Sequence, residues 1–138
     1  MAKKMLEEAR RDPARLLEVQ TDAVILPITD YRVDTETLAT MLRPETVLVS
    51  MDAVCGETGV IWNTREVAQV LRRVDIRYPQ PLWISDIHKV RPLLHVDASQ
   101  APLTEKLTRA HFGADMLTLD ASKVCEARGI GALVAHRT

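Results

Sequence analysis

The sequence predicts an α/β fold: a mostly parallel sheet with helices on both faces and a last strand that runs antiparallel. Short apolar runs such as A-V-I-L, T-V-L-V-S-M and M-L-T-L alternate with stretches whose apolar residues recur at helical spacing. Strand and helix alternate without any internal repeat. The final apolar run follows the one before it too closely for a helical crossover, so it has to return antiparallel.

Residues 3–18 read as a charged amphipathic helix with a thin stripe of Leu6, Ala9, Leu16 and Leu17. Asp12-Pro13 interrupts it, and proline is best tolerated in a first turn. Residues 1–11 are therefore expected to form a loosely attached helix, and residues 12–138 a single domain, entered with Asp12 as N-cap. Ala23 to Leu26, closed by Pro27, reads as a buried strand. Thr29 to Asp34 reads as a turn, and Thr35 to Leu42 as a helix behind a Thr/Asp cap with Leu38, Met41 and Leu42 inward. Arg43-Pro44 ends that helix. Thr46 to Met51 is the clearest strand. Its loop, D-A-V-C-G-E-T-G-V, leads to a helix from the capping Thr64 to about Val74, with Val67, Val70 and Leu71 facing inward. Residues 75–91 read as a loop insertion, longer than the usual connection in such folds. Leu93 to Val96 is a strand, Leu103 to Phe112 a helix with Leu107, Ala110 and His111 on or near one face, and Met116 to Leu119 a strand. Ile130 to Ala135 is the last strand. Ligands on such sheets bind beyond the carboxyl ends of the strands, so the loops after Met51, Val96 and Leu119 are expected to line one crevice.

Composition narrows the function classes. The chain has 138 residues, 46% hydrophobic and 27% charged, which suits one globular domain. A net charge of -1, aromatics at 4% and the lack of a basic stripe argue against a nucleic-acid partner. Cys55 and Cys125 lie far apart and form no C-x-x-C, which points to a reducing, cytoplasmic setting. The N-terminal stretch lacks an apolar core, so no signal peptide is expected, and no run is long enough for a membrane span.

The chemistry concentrates between Leu93 and Leu133. Two apolar runs end in Asp97 and Asp120, and Lys123 follows the second. A carboxylate at one strand end and an amine just past the next is what a pyridoxal phosphate (PLP) site needs. The carboxylate keeps the pyridine nitrogen protonated, and the amine bonds the aldehyde. On spacing alone the pair reads equally well as two strand ends meeting water. His95, His111 and Asp115 fit no metal-ligand spacing, so no metal is expected. Cys55 and Cys125 read as plain small residues or exposed thiols, Glu57 as a turn or cap residue, and Trp62 and Trp83 as packing or interface residues.

The order of motifs goes further. H-V-D-A-S-Q, then G-A-D-M-L-T-L-D-A-S-K, then G-I-G-A-L resembles the central part of a cysteine desulfurase, in the class V aminotransferase group of PLP enzymes. Upstream, D-P-A-R-L-L-E, T-V-L-V-S-M with V-C-G-E-T-G-V, and N-T-R-E-V-A-Q-V-L resemble that family's pieces in the same order. The similarity runs from about Asp12 to His136. It implies a partial large domain of a fold type I, PLP-dependent transferase. By position, Lys123 matches the lysine that bonds the cofactor, Asp97 the aspartate facing the pyridine nitrogen, and Gln100 the glutamine on the ring oxygen. His95 matches a family histidine to which no chemistry is assigned here. The implied reaction converts L-cysteine to L-alanine and passes sulfur on as a persulfide to a sulfur-acceptor protein, as in iron–sulfur cluster assembly. A homodimer is the implied assembly.

Departures from the family pattern are as informative. The family's Ser-Gly-His-Lys is Asp120-Ala121-Ser122-Lys123 here. Ser122 keeps a phosphate donor, while Asp120 repels a phosphate unless it points away. Gly56 stands where the family has a cofactor-anchoring asparagine, Glu126-Ala127-Arg128-Gly129 where it has G-P-K-G, and Glu7 near its ring-stacking histidine. Neither cysteine matches the thiol that takes up sulfur, and the family's phosphate loop and small domain find no counterpart. The expectation is a protein of weak or no activity by itself. Alternatives are a non-catalytic remnant acting as an oligomerising module, or another class V enzyme such as a selenocysteine lyase or aminotransferase.

Overall fold

The computed structural model describes residues 27–43, 46–73, 91–125 and 129–135. The expected helix over 3–18 with its boundary at residue 12, the strand over 23–26 and Trp83 within the 75–91 insertion lie outside these residues.

The first described unit is a small hairpin. Strands β1 (Ile28–Thr29) and β2 (Arg32–Val33) pair antiparallel across Asp30 and Tyr31. Both turn residues have positive φ, 49° and 59°, as a two-residue hairpin with right-twisted strands demands. The sequence announces only a turn here. Helix α1 (Thr35–Met41) is capped by Asp34, whose side chain accepts from the backbone N–H groups of Glu36 and Thr37 at 3.0 and 3.1 Å. Those bonds, led by the Thr37 hydroxyl, hold the Asp34 carboxyl below its usual range.

Among the described residues, four strands make the main sheet in the order β3-β4-β5-β6: Leu48–Asp52, Leu93–Asp97, Met116–Asp120 and Gly131–Ala135. The first three are parallel and β6 runs antiparallel to β5, as expected. Helix α2 (Thr64–Arg73) crosses between β3 and β4. Thr64 is its first residue and is buried. The carbonyl of Asn63 accepts from the N–H groups of Glu66 and Val67, so Asn63, not Thr64, precedes the helix. Asn63 also pairs its side-chain amide with the backbone of Val33, docking the hairpin onto α2.

The core lies on one face of this sheet. Val49 and Met51, Leu94 and Val96, and Leu117 alternate inward, and Val67, Ala68 and Leu71 of α2 meet them with Leu38 and Phe112. Trp62 packs against the cluster, as its type suggests. Val67, Leu71, Leu94 and Val96 are fully buried, each stabilising by about 1.5–3 kcal/mol.

The expected helix over 103–112 shrinks to α3 (Arg109–Phe112). Residues 101–107 form turns instead, with Thr104 and Glu105 both donating to the Ala101 carbonyl. Thr108 is extended and caps α3 through its hydroxyl, which accepts from the His111 N–H at 3.1 Å. Leu107, expected on or near one helix face with Ala110 and His111, is exposed, and Phe112 is the residue that reaches the core. Gly113 then takes the left-handed conformation, φ 71°, in a place where a Cβ would sit 2.8 Å from that of Ala68.

Asp115 clasps the near ends of β4 and β5. Its carboxylate binds Arg91 through two bonds of 2.7 and 2.6 Å and accepts from the Leu94 N–H at 2.9 Å, while its own N–H donates to Leu94 O at 2.8 Å. Arg91, then burial and the Leu94 bond, act on this carboxyl with a net downward shift. The arrangement therefore stabilises the fold fully above the ordinary aspartate value of about 4. That contribution falls away as the pH drops from there through the lower pKa of the folded state.

Two stability outcomes follow. Gly113→Ala should cost about 1–3 kcal/mol in denaturant unfolding, from both its positive φ and the Ala68 contact. Asp115→Asn should cost about 1–3 kcal/mol at neutral pH, and the cost should shrink as the pH falls from about 4 through the lowered pKa of the folded carboxyl. A pH-independent loss would contradict the charged clasp.

Candidate functional site

The parallel register decides which side chains gather at the carboxyl ends of the strands. Asp52, Asp97 and Thr118 are register neighbours on β3, β4 and β5. They alternate with the buried Met51, Val96 and Leu117, so they share the face away from the core. An open cleft of about 580 Å³ lies there, walled by Asp97, Ser99, Thr118, Asp120, Ser122 and Ile130. It occupies the position expected for a ligand site on such a sheet.

Asp97 is half-buried and turns the chain after β4. Its Oδ1 accepts from the Ser99 N–H at 2.9 Å, which fixes the carboxylate against the cleft wall. Asp52 ends β3 beside it. Burial, and next the charge on Asp97, push the Asp52 carboxyl above its ordinary value. Two residues before Asp97, His95 bridges the sheet: Nδ1 meets Ser50 Oγ and Nε2 meets Thr118 Oγ1, each at 2.7 Å. The hydroxyls can each donate or accept, so they satisfy either neutral tautomer of the ring.

Past β5 the chain enters a single 3₁₀ turn, Ala121–Val124. Asp120 caps it. Its Oδ1 accepts from the Ser122 N–H at 2.9 Å and its Oδ2 from the Ser122 hydroxyl at 2.8 Å. The N–H bond, then the hydroxyl bond and the nearby Lys123, hold the Asp120 carboxyl below its usual range. Lys123 is exposed on the same turn, and Cys125 closes it in the left-handed conformation, φ 63°.

Gln100 sits on the other side, against the loop after β3. A Cβ built on Gly56 would lie 2.7 Å from Gln100 Nε2, so the glutamine amide fills the notch that glycine leaves. Next to Gly56, hydrogen bonds from the Thr58 hydroxyl and then from the N–H groups of Glu57 and Thr58 lower the Cys55 thiol pKa. Glu57, read as a turn residue, belongs to this turn, where Gly59 N–H donates to Cys55 O at 2.9 Å.

The structure therefore brings Asp97 and Ser122 to one cleft, with Lys123 on the turn beside it and Gln100 on the flanking loop. The metal-like trio is dispersed into other bonds: His95 to hydroxyls, His111 to Glu105 at 2.6 Å, and Asp115 to Arg91. Asp52 and the hydroxyls around His95 were not foreseen. The strand was read as ending at Met51, one residue short of the carboxylate, and cross-strand partners need the register.

Gly56→Ala should displace only the far end of Gln100 and change stability by less than about 1 kcal/mol. The Gln100 side-chain amide resonances should move in the NMR spectrum. Unmoved resonances would contradict the notch.

Residues 2–138 match the family described as aminotransferase class-V. Cysteine desulfurase IscS of Actinobacillus succinogenes is 28% identical over 128 residues, covering 91% of this chain and 28% of that protein. The mitochondrial cysteine desulfurase of Eremothecium gossypii is 32% identical over 108 residues, covering 78% of this chain and 19% of that protein. Among solved structures, DndA from Streptomyces lividans superposes with a TM-score of 0.58 at 32% identity, over 83% of this chain and 27% of its own. SspA in complex with cysteine superposes with a TM-score of 0.61 at 23% identity, which speaks to fold, over 80% and 27% of the two chains. The chain thus spans less than a third of the length of these relatives.

Proposed function

The chain belongs to the aminotransferase class-V family, and from that premise we propose that it is a cysteine desulfurase-like protein that holds PLP and acts on L-cysteine. The observation that supports this reading is that Asp97, at the end of β4, lines the same cleft as Ser122, the neighbour of Lys123 on the turn after β5. The ring end of the cofactor fits these residues. A half-buried carboxylate held by the Ser99 N–H is a fixed partner for a pyridine nitrogen, and Gln100 lies within the same loop cluster for the ring oxygen. The phosphate end fits poorly, because the Ser122 hydroxyl is already given to Asp120.

When bound, PLP supplies an electron sink for a carbanion at the substrate Cα. The protein's part is orientation and proton handling. Asp97 would keep a proton on the ring nitrogen, Gln100 would donate to the ring oxygen, Ser122 would reach the phosphate only by giving up its bonds to Asp120, and the Lys123 amine would hold the aldehyde and move a proton at Cα. The products on this reading are L-alanine and sulfur passed on as a persulfide to an acceptor protein, in a homodimer of the cytoplasm. Neither Cys55 nor Cys125 corresponds in position to a sulfur-accepting thiol, so turnover by this chain alone should be weak or absent. A selenocysteine lyase or an aminotransferase would use the same four residues.

A second reading, an association module without catalysis, is favoured by β6. All five of its residues are exposed, with Leu133 64% and Val134 42% accessible, and among the described residues no further strand pairs with it. On that reading sedimentation shows an oligomer that ignores PLP.

Mixing the purified chain with PLP should give a visible absorption band that Lys123→Ala lacks, with L-alanine release from L-cysteine at or near background. A chain that gives no band, or the same band without Lys123, contradicts the PLP reading.

A further inference from the structure

Resting on the proposed roles of Asp97 and Lys123, we propose that Asp120 makes the cleft discriminate against the phosphate group, so that it takes unphosphorylated pyridoxal at least as well as PLP. The walls of the cleft hold two carboxylates, Asp97 and Asp120, and among the described residues no lysine, arginine or histidine lines it. Binding a phosphate needs hydrogen-bond donors and positive charge directed at its oxygens. Ser122 brings two donors to this end of the cleft, and both are given to Asp120: the N–H at 2.9 Å and the hydroxyl at 2.8 Å. An internal carboxylate thus occupies the bonds that an external phosphate would use.

The charge acts in the same direction. These two bonds and the neighbouring Lys123 keep Asp120 ionised at neutral pH. Lys123, the nearest cation on the turn, is offset by Asp120 and is also the amine assigned to the aldehyde. A dianionic phosphate entering here meets a fixed negative charge and finds both Ser122 donors already taken. Pyridoxal, with a hydroxymethyl group in that position, meets neither obstacle, and its hydroxyl can donate to Asp120.

The substitution that reverses this is Asp120→Ser, which removes the charge, leaves an oxygen to cap the turn and releases the Ser122 hydroxyl. Asp120→Asn removes the charge at constant size. Both are checked for folding by circular dichroism. The native chain, both variants and Lys123→Ala are titrated with PLP and with pyridoxal, following the absorption band. Calorimetry with pyridoxine and pyridoxine phosphate, which lack the aldehyde, reads the pocket without the covalent step.

The native chain should bind pyridoxal as tightly as PLP or more so. Asp120→Ser should shift the preference toward PLP by at least about tenfold, the factor to which 1.4 kcal/mol of relieved repulsion corresponds. Pyridoxal affinity should not rise, and added salt should narrow the native preference. Native binding of PLP tenfold tighter than pyridoxal, or an unchanged preference in both Asp120 variants, overturns this inference and leaves the PLP reading standing. If neither aldehyde gives a Lys123-dependent band in any variant, both fall together.

Discussion

The clasp at Asp115 sets what the rest of the sheet can do. One carboxylate holds Arg91 and the Leu94 N–H, and its own backbone returns a bond to Leu94. That ties the beginnings of β4 and β5 in one register, His95 beside Met116 and Asp97 beside Thr118. A slip of one residue would turn every side chain to the opposite face. It would bury Asp97 and expose Leu94 and Val96. The clasp lies at the opposite end of the strands from the cleft. Its importance for the site is therefore geometric, through the register.

From that register comes a row of acids. Asp52, Asp97 and Asp120 end three neighbouring strands on or beside one cleft. Each is managed differently. Asp52 yields to burial and to its neighbour's charge, and its pKa rises. Asp97 is anchored by Ser99, and Asp120 is anchored by Ser122 and faces a lysine. A site for a pyridinium ring profits from negative charge at its nitrogen and suffers from it at a phosphate. The same electrostatics would thus favour one end of the proposed cofactor and oppose the other.

Much of the architecture was legible before the structure. The alternation of apolar runs with helical patterns is read from side-chain periodicity, so β3, α2, β4, β5 and the antiparallel β6 fall where expected. The helix over 103–112 was misplaced because Leu103, Leu107 and Ala110 have helical spacing, while Thr108 takes an extended conformation and restarts the chain. Periodicity does not register a cap in mid-pattern. The hairpin at Ile28–Val33 was hidden because its turn uses Asp30 and Tyr31 in place of a glycine. In the site, Asp97, Ser122 and Lys123 stand out as strand-end residues in ordered motifs. That Asp120 consumes the donors of Ser122, and that Gln100 leans on Gly56, depends on side-chain geometry that no linear spacing records.

The central claim is that Asp97 meets the nitrogen of a pyridine ring in this cleft. The most direct measurement is the ¹⁵N chemical shift of ring-labelled pyridoxal bound to the protein at neutral pH. The account predicts the shift of a protonated pyridinium in the native chain and of an unprotonated ring in Asp97→Asn. A bound ring that is unprotonated in both, or protonated in both, would contradict it.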